Sequence, residues 1–294
     1  MTLSNKTHKI STAMAIGLSG ICLGSVYIST IIGELAFTPS ANAQYGLGLS
    51  KSASSGGATR GDLPEILLLV PEDGAKTLAS RPTFYWYIAP PSSDSSDIKD
   101  SPKIDEAKRA FAVTFILRDT EDSSAKKFFE AEGKIVQAGL YKFTLSGNDP
   151  ELFTGKVQRW QIRLKTQSTT GDDSQINVSA PIRRDDAPEV LKAIAATKND
   201  LAKARIYAKN AYWYDGLNAY TSWLSQHPND DVARTELDDL LKEGFKNHSA
   251  FMKKDKDGKL TDLLDSTKLS SFVTALNRIK SPTSVALKPK SISY

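Results

Sequence analysis

The chain has 294 residues, a single cysteine and a formal net charge of +4 from 38 basic and 34 acidic side chains. A balance this close to neutral leaves no electrostatic footprint for nucleic acid. With Cys22 as the only cysteine, no intramolecular disulfide framework can form, so the fold must rest on an apolar core; the length allows one or two domains.

Residues 1–43 have the layout of a secretory signal peptide. Lys6, His8 and Lys9 form a basic start, the uncharged stretch 10–32 is mostly apolar, and 41–43 reads Ala-Asn-Ala, which fits a cleavage site. Because the apolar stretch is longer than most signal peptides need, an uncleaved membrane anchor is the alternative. We therefore predict an extracytoplasmic protein, periplasmic or secreted, with no membrane span after cleavage.

The next two segments predict a linker followed by the first strands. Residues 44–62 are rich in glycine and serine without periodicity, which indicates a flexible linker. A short apolar run at 66–70 and an aromatic run at 84–88 are then separated by the turn sequence Pro-Glu-Asp-Gly at 71–74. Every second side chain of the aromatic run falls on one face, so Trp86 is the predicted core residue. The alternative is an exposed aromatic platform for sugars or peptides.

Five further segments predict strands, because turn residues separate them and apolar residues alternate in most of them. They are 111–117, 127–129, 140–145, 156–166 and 176–182. Together with the first two strands, they predict an antiparallel immunoglobulin-like β-sandwich at 63–184. The segment 91–108, rich in Pro, Ser and Asp, is predicted to be an inserted loop.

After residue 184 the apolar period changes to that of helices. Helices are predicted at 189–197, from 199 or 200 onward, at 212–224 and at 232–245. The spacing of five residues matches a tetratricopeptide pattern. The pattern has small residues where helices touch, aromatic residues in the groove and a proline at the exit, and here these are Ala204, Tyr207, Gly216, Tyr220 and Pro228. The sequence thus predicts an α+β multidomain protein, with a small tetratricopeptide-like helical module at 185–245 and a polar linker, short helices and a tail at 246–294.

The helical module also contains the predicted partner-binding residues. Three successive aromatic side chains cannot all face inward on one helix, because neighbours are about 100° apart. We therefore expect at least one ring to be exposed, unless another element covers it. The predicted groove consists of Asn210, Tyr212, Trp213, Tyr214 and Asn218.

No residue is predicted to be catalytic, to bind a cofactor or to bind a metal ion. The predicted mature chain has two histidines, His227 and His248, and no cysteine, which argues against zinc sites and thiol catalysis. Residues 255–258 imitate part of a calcium loop. The first and last ligand positions would then hold Lys253 and Leu264, which cannot serve as ligands there.

Three segments resemble a known family. They are LLLVPEDGAKTLASRPTFYWYIAP at 67–90, RWQIRLKT at 159–166 and IYAKNAYWYDGLNAYTSWLSQHPNDDVARTELDDLLKEGF at 206–245. Over 63–245 the chain is similar to the domain-of-unknown-function 928 family, a cyanobacterial family with signal peptides. The loop 91–108 is longer than the family pattern, and the residues after 245 lie outside the resemblance. The family assigns no catalytic residues, so the resemblance implies none here.

These observations predict a non-enzymatic interaction or scaffold protein of the cell envelope, with a protein as its partner. The alternative is an envelope hydrolase or polysaccharide-binding protein, whose carboxylates would lie on separate loops that the sequence cannot bring together. No cofactor is expected, and the oligomeric state stays open.

Overall fold

The computed structural model describes residues 44–49, 64–90, 110–166, 174–279 and 281–291. The predicted signal peptide, most of the predicted linker and the predicted inserted loop lie outside these residues.

Within the described residues, the chain is a mixed α+β protein with twelve strands and five α-helices, and all five helices follow the first eight strands. The strands are β1 (Ile66–Leu68), β2 (Ala75–Thr77), β3 (Thr83–Ile88), β4 (Phe111–Arg118), β5 (Lys127–Ile135), β6 (Gly139–Thr144), β7 (Val157–Thr166), β8 (Gln175–Arg184), β9 (Met252–Lys254), β10 (Leu260–Leu264), β11 (Thr283–Ser284) and β12 (Lys288–Pro289). The helices are α1 (Pro188–Ala196), α2 (Asp200–Lys209), α3 (Trp213–Gln226), α4 (Asp231–Phe245) and α5 (Ser266–Asn277).

Ten of the described strands form two sheets. The six-stranded sheet has the order β12-β5-β4-β7-β8-β2, and the four-stranded sheet has the order β1-β3-β6-β11. The long neighbouring strands pair in antiparallel orientation, as the alternating patterns predict. Two short edge strands depart from this rule, because β2 runs parallel to β8 and β11 runs parallel to β6.

The aromatic core lies between the two sheets. Phe84 on β3 has its ring centroid 4.8 Å from that of Phe115 on β4 and 4.9 Å from that of Trp160 on β7. Trp86 is fully buried and stacks on Tyr141 at 6.0 Å, which confirms it as a core residue. The alternative of an exposed aromatic platform is therefore wrong at Trp86.

Helices cover the other face of the four-stranded sheet. The Tyr85 hydroxyl donates a hydrogen bond of 2.8 Å to the Asn218 side chain on α3. The Tyr87 ring meets Phe272 on α5 with centroids 5.6 Å apart. The described part of the chain thus has three layers: the six-stranded sheet, the four-stranded sheet and the helices.

Two segments expected to be loosely attached are packed instead. Tyr45, in the predicted linker, is buried and its ring lies 5.4 Å from that of Trp213. In the predicted tail, β11 pairs with β6 and β12 pairs with β5, so residues 281–291, which we call the C-terminal strap, join the edges of both sheets. Each strap strand has two residues, too few to leave a periodic pattern in the sequence.

The segment between α4 and the strap also differs from its prediction. The polar stretch after residue 245 forms the two-stranded hairpin of β9 and β10, where the sequence predicted a linker and then a helix. One helix follows, α5, and its Asn277 amide donates hydrogen bonds of 2.8 and 3.0 Å to the Asp238 carboxylate on α4. α5 is thus one of the short helices predicted for this part of the chain, and it packs on α4.

Candidate functional site

The predicted partner groove lies at the point where α2 ends and α3 begins. The chain reverses at Ala211, whose φ is 60°. Asn210, just before the reversal, is exposed and its side-chain amide donates 2.8 Å to the Ile206 carbonyl, which closes the end of α2. The first turn of α3 is thereby directed into the space between the helices and the two sheets.

Trp213 occupies the most enclosed position of this turn. It is fully buried, and its Nε1–H donates 2.8 Å to the carbonyl of Leu69, just after β1. Its ring also contacts Phe245 at the end of α4, with centroids 5.9 Å apart. Gly244 must lack a side chain, because a Cβ there would lie 2.1 Å from Trp213 Cζ3. Trp213 is thus a joint between α3, α4 and the four-stranded sheet.

Tyr214 joins α3 to the core between the sheets. Its hydroxyl accepts a hydrogen bond of 2.7 Å from Trp160 Nε1, and its ring lies 5.8 Å from that of Phe84. Burial raises the pKa of the Tyr214 hydroxyl far above its ordinary value. A neutral hydroxyl in this position serves as an acceptor within the core.

Tyr212 is also covered, and Asn218 is committed to an internal bond. The Tyr212 side chain is only 6% exposed and carries Lys76 Nζ over its ring at 5.3 Å, while the Asn218 side chain accepts from Tyr85. None of the three adjacent rings is open to solvent. The exception to the expected exposed ring therefore applies, because strands, α4 and the segment at Tyr45 cover the first turn of α3, and no open ring stands beside Asn210.

A half-buried carboxylate in the same turn did not stand out in the sequence. Asp215 accepts hydrogen bonds from the backbone N–H groups of Leu78 at 2.9 Å and Ala79 at 3.2 Å, and from the Thr77 hydroxyl. Burial raises its pKa to about 6, and these hydrogen bonds oppose the rise. Asp215 thus attaches the start of α3 to the end of β2. In the sequence, only its position after Trp213 and Tyr214 could have indicated this role.

A second carboxylate, this one buried, joins the helices to one another. Glu236 on α4 accepts two 3.0 Å bonds from Arg205 Nε on α2 and one of 3.1 Å from the Tyr220 hydroxyl on α3. The hydrogen bonds and charge of Glu236 raise the pKa of Arg205. Both of these carboxylates are therefore engaged in holding elements together.

A different arrangement is found on the outer side of the six-stranded sheet. Alternate residues of β4 and β7 point away from the core, and the register places Arg118 opposite Arg159 and Thr114 opposite Arg163. The basic residues of this surface, which we call the basic sheet face, are Arg118, Lys134, Arg159, Arg163 and Lys165. The helices lie on the opposite side of the molecule, so this face is presented by a rigid sheet.

Neutral side chains hold two of these arginines in place. Arg118 Nη2 lies 3.5 Å from the Gln161 carbonyl oxygen, and Gln161 Nε2 donates 2.9 Å to Asn177 Oδ1. Arg163 Nε donates 2.9 Å to the same Asn177 oxygen. Gln161 and Asn177 therefore link the two guanidinium groups across three strands without neutralising either charge.

The positive charge of this face is only partly compensated. Glu130 and Glu132 bind Lys127 at 2.7 Å and Lys290 at 2.9 Å, and the charges of Glu121 and Asp122 act on Arg159. Burial and then the charge of Arg163 lower the pKa of Arg118, against the opposing charges of Glu130 and Asp122. Arg118 Nε is buried and has no hydrogen-bond partner within the described ranges. The face thus keeps an excess of cationic groups.

A groove runs along α5, but its chemistry is limited. Hydroxyl groups and one guanidinium line it, at Ser266, Thr267, Ser270, Ser271, Thr274 and Arg278, together with Ala275. None of these side chains is a carboxylate, so the groove does not supply the paired acids of a glycosidase. No group of metal-binding side chains is found among the described residues, and no helix in that part of the chain has the length and apolarity to span a membrane.

Comparison with known proteins identifies a family and nothing narrower. No curated protein matches the chain. One family model matches residues 53–252, a stretch that includes β1–β8, α1–α4 and the start of β9. Since that match spans more than half of the chain, the protein belongs to the family described as Domain of Unknown Function (DUF928).

Proposed function

We propose that the protein is an exported, non-enzymatic interaction or scaffold protein of the cell envelope, which binds an acidic surface of a partner protein through the basic sheet face. Export is supported by the basic start, the uncharged apolar stretch and the Ala-Asn-Ala sequence of residues 1–43. The binding role is supported by a single structural observation, the excess of oriented cationic groups on the outer side of the six-stranded sheet.

The chemistry of the face favours an acidic protein surface as its partner. Lys134 and Lys165 are exposed, whereas Arg118 and Arg163 are partly buried and held by neutral hydrogen-bond acceptors. Arginine is enriched in protein–protein interfaces, and complementary charge accelerates association and selects partners. A sheet surface suits recognition of another surface, whereas small-molecule chemistry usually takes place in a concave site.

The same proposal extends to the architecture. The antiparallel pairing of β4 with β5 and β7, and the aromatic contacts between the sheets, support an immunoglobulin-like β-sandwich. The close approach of Gly216 to Ala208, where a Cβ would lie 3.5 Å from the Ala208 nitrogen, supports a tetratricopeptide-like pairing of α2 with α3. Trp223 occupies a position where that motif usually has a small residue, and here its Nε1 donates 2.8 Å to Asp230.

Affinity capture from an envelope extract tests the proposed function. The exported protein should recover a specific protein partner, and recovery should decrease as salt increases because exposed charges are screened. The double variant Arg163→Glu with Lys165→Glu should lose this partner. Lys253→Glu, which reverses an exposed charge on β9 away from the face, is the matched control and should retain it.

Two outcomes would contradict the proposal. Recovery of the same partner by the double variant would show that the basic sheet face is not the binding surface. Recovery of no partner under several salt conditions would count against an interaction role as such.

A further inference from the structure

We propose that Arg118 and Arg163 form a carboxylate-binding site at the centre of the basic sheet face, with Gln161 and Asn177 as its positioning residues. This inference rests on the proposed function and specifies the chemical group that the face recognises. It concerns the side chains of an acidic protein segment, in which a carboxylate would accept hydrogen bonds from the two guanidinium groups.

Unused hydrogen-bond donors make the site available. Arginine has five N–H groups. Arg163 uses its Nε–H on Asn177, and its two Nη atoms have no protein partner among the residues that the structure describes. Arg118 donates through Nη1 to the Ala125 carbonyl, has only a long contact from Nη2 to Gln161, and keeps a buried Nε without a partner in the same ranges. The two Nη groups of Arg163 and the weakly engaged Nη2 of Arg118 can therefore donate to a ligand without breaking a strong internal bond.

The orientation of the two guanidinium groups is fixed before a ligand arrives. Asn177 Oδ1 accepts from both Arg163 and Gln161, and Gln161 in turn contacts Arg118. Because the chain of contacts consists of neutral amides, it orients the cations without neutralising them, and Glu130 and Asp122 offset only part of the charge at Arg118. A site organised in this way loses less side-chain entropy when it binds than two free surface arginines would.

The positive charge of the two guanidinium groups favours an anion as the ligand, and their planar shape favours a carboxylate. The positive charge of Arg163 disfavours the charged form of Arg118, and a bound anion would remove that repulsion. The planar guanidinium fork matches the two oxygens of a carboxylate, and such charge-assisted pairs are stronger than neutral hydrogen bonds. Acidic side chains of a partner protein supply this group.

Binding of labelled hexaglutamate to the exported protein tests the site, with hexaglutamine of equal length as the neutral control. Arg163→Gln and Arg118→Gln should each weaken hexaglutamate binding about tenfold, the usual effect of losing one hydrogen bond to a charged group. Asn177→Ala leaves every charge in place and should still weaken binding, because it removes the acceptor that orients Arg163. Lys165→Gln, which removes an exposed charge of the same face, should weaken binding less than Arg163→Gln.

The outcomes separate this inference from the proposed function. Equal losses for Lys165→Gln and Arg163→Gln, no effect of Asn177→Ala, or equal binding of hexaglutamine would overturn the site, since unspecific attraction would then explain the data. If hexaglutamate does not bind but the double variant still loses its envelope partner, the site is wrong and the proposed function stands. If hexaglutamate binds as expected but the double variant keeps its partner, the proposed function is wrong and the carboxylate site stands.

Discussion

The first turn of α3 and the basic sheet face both concentrate hydrogen-bonding side chains, but they use them in opposite ways. Trp213, Tyr214 and Asp215 are consecutive in the sequence and bonded to groups of other elements, the two rings buried and the carboxylate half-buried. Arg118 and Arg163 lie on different strands and are linked only through neutral amides. Polar and aromatic side chains that are adjacent in the sequence can therefore connect elements inside the protein. Side chains that are far apart in the sequence, and that only the pairing of strands brings together, can instead form a surface.

Truncation of Trp213 should produce the largest effect on the joint. Trp213→Ala should lower the free energy of unfolding by about 3–5 kcal/mol, because it removes a fully buried ring from the core. Chemical denaturation monitored by circular dichroism measures the change. Lys134→Ala, on the exposed part of the basic sheet face, is the control. A loss below about 1 kcal/mol for Trp213→Ala would contradict its role as a joint, since it would be no more than a typical substitution costs.

The buried carboxyl group of Asp215 should make the joint sensitive to pH. Its pKa is about 6 in the folded protein and about 3.9 in an unfolded chain, so the folded state binds the proton more tightly. The stability contributed by the protonated group is therefore complete at low pH and is lost as the pH rises through about 6. Relative to Asp215→Asn, the wild type should lose about 2 kcal/mol of unfolding free energy between about pH 4 and pH 7.

Denaturant titrations of the wild type and Asp215→Asn across this pH range measure that difference. Comparison with the variant cancels the contributions of the other titrating groups. A wild type that gains stability over the variant as the pH rises would reverse the sign. In that case the hydrogen bonds from Leu78 and Ala79 would outweigh burial.

Removal of the Tyr214 hydroxyl should have a smaller effect. Tyr214→Phe keeps the ring but leaves the buried Trp160 Nε1–H without its acceptor, which should cost about 1–3 kcal/mol. Thermal denaturation and denaturant titration both report the change. Tyr87→Phe, at a half-buried ring on the helix side of the four-stranded sheet, should cost less. Equal costs for the two variants would show that the bond to Trp160 contributes nothing specific.

The smallest effect on stability is expected at the basic sheet face. Arg163→Gln should change the free energy of unfolding by no more than about 0.5 kcal/mol, as is usual for surface substitutions. The measurement is the same denaturant titration, and the variant should nevertheless lose hexaglutamate binding. A destabilisation as large as that of Tyr214→Phe would show that Arg163 holds elements of the fold together. The basic sheet face would then not differ from the first turn of α3 in this respect.

Local patterns in the sequence located several of the longer elements, although β5, predicted at 127–129, continues to Ile135. Alternating apolar residues located β4 and β7, and the turn at 71–74 is present, with Gly74 at a φ of 83° and its N–H bonded to the Pro71 carbonyl. Strands of two or three residues, such as β2, β11 and β12, leave no periodicity from which they could be predicted. Their positions depend on which edges of the sheets remain open after the long strands have paired.

The contacts of the first turn of α3 and of the basic sheet face were harder to predict, because they also depend on segments that are distant in the sequence. Helical geometry correctly indicated that Tyr212, Trp213 and Tyr214 point in different directions. It could not show that Tyr45 and Leu69 approach the same turn from segments more than a hundred residues away. Similarly, the alternation of Arg159, Gln161 and Arg163 is visible in the sequence. The proposed carboxylate site, however, depends on the strand register that brings residues of β4 and β8 beside them.

The C-terminal strap constrains the order in which the protein can be completed. The Lys290 ammonium binds the Glu132 carboxylate across 158 residues of sequence, and β12 pairs beside it. Contacts of such separation form late, because a large loop must close before they contribute. Until residues 281–291 have been synthesised, the edges of β5 and β6 lack these partner strands and can associate with other chains. Protection of a nascent copy against aggregation thus depends on the C-terminal strap.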